Sequence, residues 1–451
     1  RIVAPLRRIL ASRFLRDSSV LQAGSLSISG LAFLGTIALT HVLGAHRQGE
    51  YYLAVAAYSL LWFCLNLGLY PVTISQVSQR LTSGDREGAL SWLAYLFKSG
   101  IPLGILTLLV GVWGLPSALS WWTSDPSANV ARIGLCASIL SISPLLELPR
   151  VVALAGLEGS RRMLAVTRIE NAQEVLRVVL VVIGALLTGS AVGPVIGTVC
   201  ASALGSLVAL VVFQRERLRH VPDLPSMGEI LGAAVRVPWT LGLRLGIKMG
   251  IVRNIDALAV QVLPALVLGH FSSPQWVSYL RIAQRLVDVS RMFMKGISRT
   301  ALPVLSGLAH VRDRAGLRRV YWRATLGSGF LIAGGLGLST LVLPWAIETF
   351  LPRDFHHPVW MSFLILLPGT AVVGFSVAND TFYLVTNQLR MAIILSVVGL
   401  VVNTGVLFLA CIRWPDYGAA VGLSFTFLWS LTHVGYAGWW FRKHRKQETP
   451  A

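Results

Sequence analysis

The chain has 451 residues, 54% hydrophobic and only 13% charged, with a mean hydropathy of +0.67. A soluble domain carries about 25% charged residues, so this composition argues against a soluble enzyme or binding module. The net charge of +19 would suit nucleic acid, but the basic residues lie between apolar runs rather than on a polar face, and no nucleic-acid partner is expected.

The apolar runs have the length of helix that crosses about 30 Å of hydrocarbon. Without water, their backbone groups must be satisfied within a helix. After a basic N-terminal segment (1–17, with Arg1, Arg7, Arg8, Arg13 and Arg16), read as a cytoplasmic flank and not a cleaved signal, twelve spans are predicted. They cover 18–43, 51–75, 91–118, 130–155, 164–188, 192–213, 237–263, 276–303, 321–345, 359–386, 391–411 and 417–441. A basic tail, 442–451, follows. Lysines and arginines crowd alternate connectors, while the opposite set holds Arg47, Arg353 and Arg413. Basic loops stay on the cytoplasmic side, which places both termini there. The four cysteines, Cys64, Cys136, Cys200 and Cys411, lie within apolar runs without metal-binding spacing and read as small buried hydrophobes.

The two halves align at an offset of about 228 residues. Asp85, Arg86 and Gly88 fall on Asp313, Arg314 and Gly316; Tyr51 on Tyr279; Leu115-Pro116 on Leu343-Pro344; Arg162-Met163 on Arg390-Met391. Ala191-Val192-Gly193 falls on Ala420-Val421-Gly422 after one insertion. The expected architecture is all-α: a six-helix bundle over 18–213, a cytoplasmic linker over 214–236 and a second six-helix bundle over 237–441. An even number of helices per repeat gives parallel pseudo-symmetric bundles, an arrangement that transporters use for alternating access.

Several stretches resemble polysaccharide flippases of the multidrug/oligosaccharidyl-lipid/polysaccharide (MOP) superfamily. They are Leu43-Gly44-Ala45 leading to Gly49-Glu50-Tyr51-Tyr52-Leu53-Ala54, then Asn254-Ile255-Asp256, then Val277-Ser278-Tyr279-Leu280-Arg281-Ile282-Ala283. Leu302-Pro303-Val304-Leu305-Ser306 and Asp416-Tyr417-Gly418-Ala419-Ala420-Val421-Gly422 complete the set. The resemblance implies a multi-pass protein of the cell (inner) membrane that exports undecaprenyl-diphosphate-linked oligosaccharides. It also implies a polysaccharide polymerase and a priming glycosyltransferase as working partners. Twelve spans match the usual polysaccharide branch.

Charges at membrane depth mark function by default. On the eighth span Arg281, Arg285, Asp288, Lys295 and Arg299 fall within an arc of about 80° at the helical period and should face a wet cavity. Arg244 and Lys248 share a face of the seventh span, where Arg253 and Asp256 are spaced to pair. Glu170, Glu174 and Arg177 share a face of the fifth, Glu147 and Arg150 lie in the fourth, and Asn379-Asp380 in the tenth. Guanidinium and ammonium groups suit the diphosphate of a lipid-linked sugar. Arg244, Lys248, Arg281, Arg285, Lys295 and Arg177 are therefore the candidate substrate ligands. Asp288, Asp256, Glu174 and Asp380 are the candidates for proton or sodium coupling, and no other cofactor is called for. Lys98, Lys295 and Arg299 have the alternative of snorkelling to the interface.

Phosphate-loop, zinc-protease and serine-hydrolase motifs are missing from the sequence. A drug/cation antiporter of the same superfamily would want an acidic cavity. A membrane-embedded polymerase or glycosyltransferase would want a larger extracytoplasmic loop than 346–358.

Overall fold

The computed structural model describes residues 13–123, 125–288, 305 and 314–444, and every regular element among them is helical. Nine helices among the described residues are long and apolar enough to cross a membrane. Large apolar side chains stand outward on them, including Trp113, Leu187, Phe330 and Leu341. Water would penalise such a surface; lipid does not.

The chain forms two compact units, Arg1–Leu258 and Ala259–Ala451. In the first, α1 (Arg13–Leu65) breaks at Gly44, whose φ is 67°. Then follow α2 (Leu69–Thr82), α3 (Arg86–Trp122), α4 (Val130–Leu140), α5 (Ser143–Gly159), α6 (Met163–Thr188), α7 (Val192–His220), α8 (Met227–Ala234) and α9 (Leu243–Ala257). Their core holds Leu93, Tyr95, Val152, Leu157, Ile169 and Phe213. Helices α6 and α7 touch backbone to backbone, since a methyl group on Gly184 or Gly193 would overlap the other's main chain. Small residues supply such close approach where lipid removes the hydrophobic drive for helix pairing.

A π-helical turn, Leu258–Val262, leads into the second unit. There α10 (Leu263–Phe271) is followed by α11, described over 274–288. Next come α12 (Arg314–Phe350), α13 (Arg353–Val373), a 3-10 turn (Gly374–Ser376), α14 (Asn379–Val385), α15 (Leu389–Arg413), α16 (Gly418–Leu428) and α17 (Ser430–Lys443). An aromatic cluster of Tyr321, Phe382, Tyr383 and Phe441 fills its basic end.

The repeat is visible in the elements. Helices α3 and α12 carry Pro116 and Pro344 228 positions apart, and they end 228 positions apart, at Trp122 and Phe350. Three features differ from the sequence reading. The units divide at Leu258, not in the 214–236 connector, because α8 buries Ile230 and Ala234 against the first unit's core. Also, the second, fourth, seventh, tenth and twelfth spans are interrupted, where continuous helices were expected. Cys64 and Cys200 are exposed; only Cys136 and Cys411 are buried.

Candidate functional site

The second span is opened at Asn66-Leu67-Gly68. Gly68 adopts a left-handed conformation (φ 62°), and its backbone amide is taken by the Asn66 side-chain oxygen at 3.1 Å. A side chain here would be strained and would also strike the Gly250 backbone, so α9 can approach only because both positions are glycine. From α9, the buried Asn254 amide donates to the carbonyls of Phe63 at 2.7 Å and Asn66 at 2.8 Å. Carbonyls released by a break need such a donor at membrane depth.

Three carboxylates of the first unit each hold an arginine. Glu50, 1% exposed, accepts from Arg132 at 3.0 Å, with His46 at 3.8 Å. Glu147 accepts from Arg150 at 2.6 Å and from the Ser202 hydroxyl at 2.7 Å. Glu174 and Arg177 form a two-bonded pair, with Nε to Oε2 at 2.9 Å and Nη2 to Oε1. Forked geometry of this kind offsets much of the cost of removing both charges from water. Tyr70 bonds Glu158, with Glu170 and Arg150 close by. Among the described residues, the buried oxygens of Thr167, Asn171 and Gln173 on α6 have no hydrogen-bond partner, which leaves them available to water or ions.

In the second unit the π turn is held from α11. Pro264 has no amide hydrogen, so the Val260 carbonyl, four residues earlier, loses its ordinary helical donor. Gln284 Nε2 replaces it at 3.3 Å. Arg281 donates to the next carbonyl, of Gln261, and to Gln284 Oε1 at 3.1 Å. Tyr321 donates to the buried Asn379 side chain at 2.7 Å. The Tyr383 hydroxyl lies 3.0 Å from His433 Nδ1.

The predicted site residues therefore scatter. Arg281 and Gln284 brace a main-chain irregularity. Arg177 and Glu174 satisfy each other. Arg285, Asp256 and Asp380 are exposed, and Asp288 is half-buried. Arg244 and Lys248 lie on α9, and their side chains are outside the described residues. Lys295 and Arg299 lie outside the described residues, as does the side chain of Arg253, Asp256's expected partner. Lys98 caps the end of α8, donating to Val237 O at 2.8 Å and Val235 O at 3.3 Å, with its ammonium 4.7 Å from the Trp239 ring.

Sequence reading missed Arg132, taken as part of an apolar span, and the bracing role of Asn254. An asparagine inside a glycine-spaced helix (Gly246, Gly250, Asn254) was the available signal.

At the basic end, Arg86 meets Glu229 at 2.6 Å and Arg80 meets Asp85 at 2.7 Å. The Arg86 guanidinium, followed by the Ser226 amide and hydroxyl, holds Glu229 down to about 2. The Gly88 amide, then Arg80, lowers Asp85.

Two compact units of apolar helices with interrupted spans, the first with its carboxylates paired to arginines, define an all-helical membrane-protein fold. The chain resembles an outward-facing MATE family multidrug transporter of the MOP superfamily, with TM-score 0.64, 15% identity, and 97% of this chain and 98% of that one covered. It also resembles the lipid II flippase MurJ in an inward closed conformation, with TM-score 0.68, 13% identity and 93% and 87% coverage. A further likeness is to a MOP transporter from Pyrococcus furiosus described as having a binding pocket of reversed polarity, with TM-score 0.61, 16% identity and 98% of both chains covered. At these identities the likeness is one of fold. A probable multidrug resistance protein NorM of Deinococcus radiodurans is 28% identical over 255 residues, 53% of this chain. That match spans about half (54%) of the relative's length. Residues 14–309 match the family described as polysaccharide biosynthesis protein. The chain belongs to that family, and its fold is the one shared by those transporters of the MOP superfamily.

Proposed function

We propose that this protein flips polyprenyl-diphosphate-linked oligosaccharides, of the undecaprenyl type, from the cytoplasmic to the outer leaflet of the cell (inner) membrane by alternating access. The observation that carries this reading is the neutralisation of Glu50, Glu147 and Glu174 by Arg132, Arg150 and Arg177. A carrier of cationic drugs needs carboxylate charge to spare, whereas these carboxylates are already matched. The polysaccharide family match and the fold shared with a lipid II flippase support the same reading.

Arg281 and Arg177 have internal partners; the diphosphate ligands of this proposal are the exposed Arg285 and, by their spacing, Arg244, Lys248 and Lys295, whose side chains lie outside the described residues. Coupling to a proton or sodium ion falls to Asp256, Asp288 or Asp380. An inside-negative potential assists outward movement of an anionic headgroup by about 2.3 kcal/mol per charge per 100 mV. A polymerase and a priming glycosyltransferase are the proposed partners.

Deleting the gene and analysing membrane lipids tests the proposal. It expects a polyprenyl-diphosphate oligosaccharide to accumulate on the cytoplasmic side; unchanged surface glycan overturns it. The similarity to the NorM relative favours one alternative, drug efflux. Cationic-dye export by reconstituted protein, with no lipid accumulation in the deletion strain, would establish that instead.

A further inference from the structure

At the basic end of the second unit, α12 and α17 enclose a groove of about 510 Å³. Its walls include Arg318 and Trp322 from α12, and Gly435, Gly438, Trp439 and Arg442 from α17. The spacing explains the shape. Arg318 and Trp322 are one turn apart on α12, and Gly435, Gly438, Trp439 and Arg442 follow one stripe of α17. Each helix thus gives the groove one guanidinium at its basic end and one indole.

The floor is bare backbone. A methyl group added at Gly435 would meet open space, and one at Gly438 would meet only the Trp322 ring, at 3.6 Å. Lys443, whose ammonium lies 5.0 Å from the Trp439 ring, adds a third cation at the rim.

We propose that this groove binds an anionic phospholipid. Arg318 and Arg442 hold the phosphodiester headgroup, and an acyl chain lies along the glycine floor between Trp322 and Trp439. Three properties converge on that occupant. The cations cluster at the end the charge pattern assigns to the cytoplasm, where anionic lipid gives a negative surface potential. Guanidinium matches phosphate oxygens in a fork. Paired tryptophans beside a smooth apolar track suit a molecule half in the headgroup layer and half in hydrocarbon. A free phosphate would use the arginines but leave the glycine floor and indoles unused. The assignment is independent of the transported substrate.

The full chain, purified in neutral detergent, is mixed with equal amounts of phosphatidylglycerol and phosphatidylcholine, and retained lipid is counted by native mass spectrometry. Phosphatidylglycerol should be retained preferentially. Arg318→Gln with Arg442→Gln should reduce that preference about tenfold, the effect of losing one to two charge-assisted contacts. Gly438→Leu, which fills the floor, should reduce retention of both lipids. Arg442→Gln alone, at an exposed last-turn position, gives the same direction if the double variant is unstable. Arg413→Gln, on a helix end outside the groove, should change nothing. Equal retention of the two lipids, a preference unaltered in Arg442→Gln, or retention unaltered in Gly438→Leu, overturns the proposal. Displacement of bound lipid by millimolar inorganic phosphate, with Gly438→Leu inert, assigns the groove to free phosphate and also overturns it.

Discussion

Asn254 and Asn66 are joined by a hydrogen bond of 2.8 Å from the side-chain amide of one to the main-chain carbonyl of the other. The same amide holds the carbonyl of Phe63. One side chain thus satisfies two of the acceptors released where the second span opens. Asn254→Ala removes the donor and should destabilise the protein by about 1–3 kcal/mol. Asn254→Asp keeps the shape, loses the donor, and should cost at least as much. Thermal unfolding in detergent checks both; midpoints equal to wild type for the two variants would remove the brace from the account.

Arg281 and Gln284 act together on the π turn. Arg281→Ala and Gln284→Ala should each lower stability, and the double variant should lose less than the sum, with a coupling of about 1 kcal/mol. Arg285 is exposed one turn away. Arg285→Ala should leave the unfolding midpoint within about 0.5 kcal/mol of wild type while impairing lipid-linked sugar export. Additive losses in the first pair would mean that the two side chains do not share one task.

The Glu174–Arg177 pair gives a charge test. Removing one member leaves the other charged and partly buried, at a cost of about 3 kcal/mol. Arg177→Met should therefore destabilise strongly, and Glu174→Gln added to it should recover most of the loss. A double variant as unstable as Arg177→Met alone would show that the pair's charges are not what matters.

Glu229 sets the acid response of α8. Its carboxyl is held at about 2, below the ordinary value of 4.5, by Arg86 and the Ser226 cap. A depressed carboxylate adds stability above its unfolded pKa and loses it as pH falls through the folded one. The contribution should thus be complete above pH 4.5 and fade toward pH 2. With both side chains about 40% exposed (39% and 41%), solvent screening keeps it below about 1 kcal/mol. Protection factors of α8 amides, corrected for the intrinsic pH dependence of exchange, should fall over that window in wild type and stay flat with pH in Glu229→Gln. A flat wild-type profile would contradict this.

Much of the fold was legible in the sequence because helix length and hydropathy are local properties. Met163–Thr188 and Leu389–Arg413 lie within two residues of the spans expected at 164–188 and 391–411. The duplication was legible for a similar reason: Leu115-Pro116 and Leu343-Pro344 keep the same register from the C-terminal ends of their helices. The interruptions were not. Hydropathy averages over Asn66-Leu67-Gly68 and over Pro264 without registering that a carbonyl there must find a donor elsewhere in the chain.

The amino-acid order determined that this chain is an all-helical membrane protein built twice over, since an apolar run of sufficient length has no other stable form in lipid. Tertiary structure decided what each intramembrane charge does. The face-sharing of Arg281 with Arg285 follows from helical period alone, but whether a guanidinium meets a substrate or a carbonyl depends on the neighbouring helix. Gln261 lies 20 positions before Arg281, and only folding brings its carbonyl within reach.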